Sequence, residues 1–161
     1  MLTKERLDAL RILTKRLSGS AINWAVFAGT NLELQGVDIQ SNDIDILVST
    51  KEDTLRAGEV LKKFEIEPIQ HVEKENYDAY EGKFKVNGIS VQVIGELVNK
   101  IPEGDLWSET KRLSARKTII VSSMRIPVIS LAQEYSAYLK MGKLEKAEKI
   151  FEAIQGKTPA I

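Results

Sequence analysis

The chain has 161 residues, of which 43% are hydrophobic and 29% charged, a composition typical of a folded globular protein. Its 23 basic and 23 acidic residues cancel, so net charge does not indicate a nucleic acid or an anionic membrane as partner. Cysteine is absent, which excludes disulfides and thiolate metal sites, and no apolar run is long enough to span a bilayer. With a charged N-terminal segment unlike a secretion signal, these features predict a cytoplasmic protein.

The first part of the chain predicts helices that alternate with short strands. Leucines recur at helical spacing from Thr3 until "SGS" at 18–20. The segment "NWAVFAG" predicts a buried strand that ends at Gly29, and "TNLELQG" predicts a short helix closed by Gly36. The strand "DIDILVS" and the amphipathic helix "KEDTLRAGEVLKKFEI" follow.

The second part contains the clearest local signal, Asn87-Gly88 between two alternating runs, which predicts a hairpin with strands near 80–86 and 89–94. The polar segment before it, around His71, predicts a loop. The segment "KTIIVSSMRIPVIS" predicts a strand with a turn near 125–127.

The residues from 131 to 154 predict two helices joined at Gly142. The whole order of elements predicts an α/β or α+β fold, a mixed β-sheet flanked by helices in one domain of residues 1–161. Its sheet core would cover about 20–125 and its helical part about 128–156.

Asp43 and Asp45 are the chemically informative residues, because ionised carboxylates inside an apolar strand need partners. Two residues apart on a strand, they project from one face with about 6.6 Å between their backbones. They could therefore hold a hard cation such as Mg²⁺, although most Asp-x-Asp pairs are solvated strand ends. The upstream turn at Gly29-Thr30 could bring backbone amides close to a phosphate, although such turns are also common without any ligand.

The stretch "AGTNLELQG…SNDIDILVS" resembles the core of minimal bacterial and archaeal nucleotidyltransferases related to DNA polymerase β. The matching positions are Gly29-Thr30, Gly36, Ser41, Asp43 and Asp45. The C-terminal segment is also similar to that of the family, through Ser130, Leu131 and Lys140.

The resemblance implies a transfer of a nucleoside monophosphate from an NTP to an unknown hydroxyl acceptor. Asp43 and Asp45 would be catalytic and would bind Mg²⁺ as the cofactor, in a site with room for two ions. The candidate nucleotide-binding residues are Gly29, Thr30, Ser41, Lys83 and Gln92.

Several positions depart from the family pattern. Ala28 replaces the first glycine of the usual pair, Ile39 an arginine, and Lys143 and Lys146 an arginine and an aspartate. The third carboxylate of the family corresponds to Gln92 in "SVQVIGEL", and a neutral amide cannot act as a base.

These departures, of which Gln92 weighs most, leave two further readings open. In one, the protein is a catalytically degenerate member that acts as a nucleotide-binding or regulatory, antitoxin-like partner of another protein, or as a homodimer. In the other, it is a structural domain with a solvated Asp pair. Glu96 could replace the missing carboxylate, but a solvated acid is the simpler interpretation. The hairpin register sets Lys83 opposite Gln92, where it could pair with an aspartate, bind phosphate or face solvent.

Overall fold

The computed structural model describes residues 2–100, 106–108 and 110–156. The helices are α1 (Lys4–Ser18), α2 (Ala28–Leu34), α3 (Lys51–Val60), α4 (Leu131–Lys140) and α5 (Leu144–Gly156). The strands are β1 (Trp24–Phe27), β2 (Ile44–Val48), β3 (Glu65–Glu73), β4 (Tyr77–Val86), β5 (Ile89–Lys100), β6 (Leu106–Ser108), β7 (Lys117–Val121) and β8 (Met124–Val128). Short 3₁₀ helices occupy Lys62–Phe64 and Thr110–Ala115.

The strands form one mixed sheet, in the order β3-β4-β5-β2-β1-β8-β7, and β6 pairs with β5 outside that path. β2 runs parallel to β5 and antiparallel to β1, and β1 runs parallel to β8. The remaining pairs are antiparallel hairpin-type neighbours. This α+β architecture confirms the predicted mixed sheet flanked by helices.

One face of the sheet is closed by α1 and α3. The leucine stripe of α1, exemplified by Leu10 and Leu13, packs with Ile44 and Ile46 of β2 in the main hydrophobic core. Because side chains alternate along a strand, the residues between these isoleucines project to the opposite face. That second face carries a smaller apolar cluster and the polar residues of interest.

Several local predictions are confirmed. Thr3 caps α1 by accepting the Arg6 backbone N–H. Asn87 and Gly88 both have positive φ, and the hairpin pairs Val86 with Ile89 as predicted. The C-terminal helices are separated between Lys140 and Leu144, around the predicted hinge.

Two local predictions are wrong. The turn after β7 lies at Ser122 and Ser123, with φ of 48° and 67°, and the predicted turn at 125–127 is part of β8. Serine seldom adopts this left-handed conformation, so two serines are a poor indicator of a turn. His71 lies in β3, an edge strand exposed along most of its length, whose polar composition lacks the alternation of a half-buried strand.

In the part of the chain that the structure describes, every helix is too short or too polar to cross a bilayer.

Candidate active site

Asp43 and Asp45 lie at the start of β2, on the face opposite α1 and α3. Asp43 is exposed just before the strand, and Asp45 is half-buried within it. The register sets Asp45 between Phe27 on β1 and Gln92 on β5. The buried isoleucines that alternate with the two aspartates therefore fix the direction of both carboxylates.

Asp45 is in an environment that disfavours its charge. Burial raises the pKa of Asp45 to about 7, and the nearby carboxylates of Asp43 and Glu134 add to this rise. Glu134 comes from α4 and is 1% exposed. The site thus concentrates negative charge in a place where a bound cation would lower the electrostatic cost.

The turn between β1 and α2 lies directly against the segment that carries Asp43. A Cβ added to Gly29 would be 2.9 Å from Ser41 Oγ and 3.1 Å from Ser41 Cβ, so any other residue here would force the Ser41 side chain to shift. Ser41 Oγ in turn donates to Asp43 Oδ1 at 3.2 Å. Ala28, next to this glycine, has φ of 60°, a conformation that favours glycine.

A buried network of hydrogen bonds from Arg6 and Glu33 also holds the segment before β2 in place. The Arg6 guanidinium binds both carboxylate oxygens of Glu33, at 2.9 and 3.0 Å, and Glu33 Oε1 accepts the Ser41 backbone N–H at 3.1 Å. Burial opposes the charge of Glu33, but the hydrogen bonds, led by that from Arg6, lower its pKa. The Thr30 hydroxyl accepts from Arg6 and donates to the backbone carbonyl of Asp43.

Glu134 connects the C-terminal helices to the turn. Its Oε2 accepts the Ala28 backbone N–H at 2.7 Å and the Asn31 side-chain amide at 2.9 Å. The Asn31 amide also donates to the Ile129 carbonyl at 2.8 Å. Through these bonds α4 holds the first turn of α2 in place.

Two pockets meet at Asp43. The turn pocket, of about 290 Å³, is lined by the β1–α2 turn, the segment before β2 and the start of α5. Its polar and charged lining residues are Gln40, Ser41, Asp43, Asp45, Tyr138, Lys143 and Lys146. The hairpin pocket, of about 440 Å³, is lined by Asp43, Ile66, Lys83, Phe84, Lys85, Ser90, Val91 and Gln92.

Gln92 is held by a carboxylate that the sequence did not single out. Its Nε2 donates to Glu81 Oε2 at 2.9 Å, and Glu81 also accepts the Tyr77 hydroxyl at 2.8 Å. Lys74 Nζ lies 3.4 Å from the other oxygen of Glu81. One of the two amide N–H groups is used in this bond, and the Gln92 carbonyl oxygen is an acceptor available to a ligand.

The structure distributes the predicted site residues over distinct positions. Gly29, Ser41, Asp43 and Asp45 line the turn pocket, whereas Lys83 and Gln92 line the hairpin pocket. Thr30 is fully buried, with its hydroxyl used inside the protein.

Glu96 lies elsewhere on the molecule and accepts the Lys51 backbone N–H at the start of α3. Among the described residues, no group of three or more acidic or histidine side chains is arranged as a metal cluster.

The residues that sequence reasoning missed are distant in the chain. Arg6 and Glu134 reach the site across 27 and 106 positions, to Glu33 and Ala28. No local pattern marks such contacts. Lys143 and Lys146 were noted only as departures from the family pattern, and their charges read as a solvated helix face.

The fold is that of the nucleotidyltransferases, and this chain is a minimal nucleotidyltransferase of that class. The sequence profile of the Aminoglycoside-2''-adenylyltransferase family matches residues 9–152. The chain belongs to that family. Comparison with curated protein sequences gives no significant match.

Solved structures support the class. The chain is 28% identical to TM1012 of Thermotoga maritima, a candidate nucleotidyltransferase, with a TM-score of 0.81 over 98% of this chain and 97% of that one. The lincosamide adenylyltransferase LnuA, bound to lincomycin, gives 12% identity and a TM-score of 0.52, over 92% and 98%. ANT(2")-Ia, in complex with adenylyl-2"-tobramycin, gives 7% and 0.53, over 92% and 89%. The last two likenesses concern the fold alone.

Proposed function

We propose that the protein transfers a nucleoside monophosphate from an NTP to a hydroxyl acceptor, with Mg²⁺ held by Asp43 and Asp45. The observation that carries the proposal is the turn pocket, in which both aspartates adjoin the Gly29 turn and two lysines of the C-terminal region. This arrangement offers oxygen ligands for a cation and positive charge for phosphates in one cavity.

The residues of the site fit a divalent cation. Carboxylates at i and i+2 supply hard oxygen ligands. The pKa of Asp45 is raised by burial and, to a lesser extent, by the neighbouring acids, and a cation would compensate the charge of the ionised form. The Gln92 carbonyl oxygen, on the strand beside Asp45, is a third and neutral donor. When bound, the cation would offset the charge of the phosphates and of the departing pyrophosphate.

The remaining residues of the turn pocket suit the triphosphate. Gly29 leaves the backbone of the turn accessible, and the ammonium groups of Lys143 and Lys146 attract phosphate oxygens. Thr30 would act indirectly, because its hydroxyl fixes the Asp43 backbone. The acceptor hydroxyl would attack the α-phosphorus as the bond to pyrophosphate breaks, and its proton would pass to solvent or to a carboxylate.

A second function, nucleotide binding without transfer, is favoured by one observation. Gln92 stands opposite Asp45 in the register, at the position where the resemblance implies a carboxylate. Its amide cannot accept the proton of an attacking hydroxyl. A protein of this kind would use the bound nucleotide for regulation of a partner.

Calorimetry with the α,β-methylene analogues of the four NTPs, with and without Mg²⁺, tests the site. We expect Mg²⁺-dependent binding that weakens at least tenfold in Asp45→Asn. Asp38→Asn is the matched control, an exposed aspartate that lines neither pocket. Failure of all four analogues to bind the wild type would overturn the proposed site.

Transfer is then measured separately. Transfer of label from α-labelled NTP to an acceptor, with release of pyrophosphate in equal amount, separates the two functions, since a binding-only protein retains nucleotide affinity without turnover.

A further inference from the structure

The hairpin pocket is distinct in charge from the turn pocket and borders it at Asp43. Lys83 and Lys85 project from β4 and Ser90 and Gln92 from β5, because the register pairs Lys85 with Ser90 and Lys83 with Gln92. All four line the pocket on the face that also presents Asp45. The pocket therefore has two ammonium groups, one hydroxyl and one amide.

The two lysines have few charged partners among the described residues, so both are available to a ligand. Lys83 Nζ is 4.0 Å from Glu67 Oε2, and both side chains are more than half exposed, at 57% and 54%. Such a surface pair is weak and is readily exchanged for another anion. In the described part of the chain, Lys85 makes no ion pair within 4.0 Å.

Among the described residues that line the hairpin pocket, Asp43 is the only acidic one. It faces the turn pocket as well, where it is committed to the cation under the proposed function. A polycationic acceptor would meet two lysines. The described carboxylates beside them are Asp43, which the proposed function assigns to the cation, and the surface residue Glu67, so the arrangement disfavours binding of a polycation. An anionic acceptor would gain charge-assisted hydrogen bonds from the same groups.

The apolar part of the hairpin pocket indicates a second property of the acceptor, a carbon skeleton. Ile66 of β3 is 63% exposed and lines the cavity, whereas Phe84 is 1% exposed and packs in the main core on the other face of the sheet. An acceptor with a short carbon skeleton beside its anionic group would cover this isoleucine. The volume of about 440 Å³ is sufficient for a small molecule.

We propose that the hairpin pocket is the acceptor site and selects small hydroxyl compounds that carry a phosphate or carboxylate group, rather than the polycationic acceptors implied by the family's name. This inference rests on the proposed function. It assigns Lys83 and Lys85 to the acceptor, with the acceptor hydroxyl directed past Asp43 towards the α-phosphate in the turn pocket.

Amide-resolved NMR on the uniformly ¹⁵N-labelled protein tests the assignment, with the turn pocket saturated by Mg²⁺ and an α,β-methylene NTP. Glycerol 3-phosphate and glycerate are the anionic probes, inorganic phosphate the minimal one, and glycerol, glucosamine and tobramycin the uncharged and cationic controls. We expect the anionic probes to shift the amides of Lys83, Lys85 and Ser90, and the controls to leave them unchanged. Lys85→Met should weaken this binding at least tenfold, and Lys117→Met, an exposed strand lysine outside the pocket, should not.

Three results would overturn the inference. The first is that tobramycin shifts these amides and the anionic probes do not. The second is that no anionic probe binds at millimolar concentration. The third is that Lys83→Met and Lys85→Met weaken binding of the nucleotide analogue itself, which would make both lysines part of the triphosphate site. Loss of the proposed function is seen separately, as failure of the analogue to shift the amides around Gly29 and Ser41 in the wild type.

Discussion

Asp45 shows how one position in a strand acquires chemical character from its neighbours. The isoleucines on either side are fully buried, so the carboxylate cannot turn away from the face that it shares with Gln92. Burial and the nearby acids then raise its pKa to about 7. In an unfolded chain the same group titrates near 3.8.

Asp45 should make stability depend on pH. Because its folded pKa exceeds its unfolded pKa, the folded state binds more protons between about pH 4 and pH 7, and stability falls as the pH rises through that window. Asp45→Asn should flatten this slope and raise the free energy of unfolding at pH 8 by about 2 kcal/mol. Urea denaturation at pH 5 and pH 8 in EDTA provides the measurement. Parallel pH profiles of the two proteins would contradict the assignment.

Gln92→Asp should restore a third carboxylate to the site and should lower the stability of the metal-free protein. In EDTA the variant should be less stable than the wild type by about 1 kcal/mol or more, because the new charge faces Asp45 and loses the amide bond to Glu81. Mg²⁺ should stabilise the variant more than the wild type, and any transfer activity should increase. Thermal unfolding with and without Mg²⁺ tests this, with Gln92→Asn as the uncharged control. Equal responses to Mg²⁺ would exclude Gln92 from the cation site.

The turn between β1 and α2 is the element on which the site depends. It places Ala28 in a left-handed conformation and Gly29 against Ser41, and the carboxylate of Glu134 accepts its first backbone N–H. The loop before β2 is secured to the same element by Arg6 and Glu33. Strand, helix and loop therefore form one rigid support for the two aspartates.

Adjacent substitutions in this turn should have opposite signs. Ala28→Gly removes left-handed strain of about 1–2 kcal/mol, partly offset by the greater freedom of glycine in the unfolded chain, for a net gain of about 0.5 kcal/mol. Gly29→Ala should destabilise, since the new methyl group would meet Ser41 Oγ at 2.9 Å, and should weaken nucleotide binding. Chemical denaturation of both variants, with calorimetry of the NTP analogue, measures the two effects. A stabilised Gly29→Ala would refute the close packing.

The ion pair between Arg6 and Glu33 should matter for both stability and ligand binding. Arg6→Met removes the guanidinium that binds both oxygens of the buried Glu33 carboxylate and should cost about 3 kcal/mol. The double variant Arg6→Met/Glu33→Met should recover part of this loss, because it removes both buried charges. It should still bind the NTP analogue more weakly, since Ser41 has lost its acceptor. Full nucleotide affinity in the double variant would contradict a positioning role.

At the scale of the molecule, local signals predicted more than long-range ones. Asn87-Gly88 fixed a register that proved correct as far as Lys83 and Gln92, because a two-residue turn sets every later pair of the hairpin. The order of elements and the mixed sheet followed from the hydrophobic pattern. Strand β3 was missed because an exposed edge strand has no buried face to impose alternation.

The contacts that complete the site were beyond such patterns. Glu81 belongs to a predicted strand, but the residue directly opposite Gln92 is Lys83. Glu81 lies two residues further along β4 and bonds to Gln92 diagonally across the two strands. Arg6 and Glu134 lie in helices whose apolar stripes were evident, but an apolar stripe does not indicate which buried polar side chain will accept or donate across the fold. The fold was thus largely predictable, and the polar network that orients the aspartates was not.

The bond from Glu134 to Ala28 has a consequence for biosynthesis. The aspartates are translated about ninety residues before Glu134, and the lysines of the turn pocket come later still. A growing chain of which only the first hundred residues have left the ribosome contains both aspartates. It lacks Glu134, which bonds to the turn, and the two lysines of the turn pocket. Under the proposed function, the complete phosphate site would therefore form only after α4 and α5 have emerged from the ribosome.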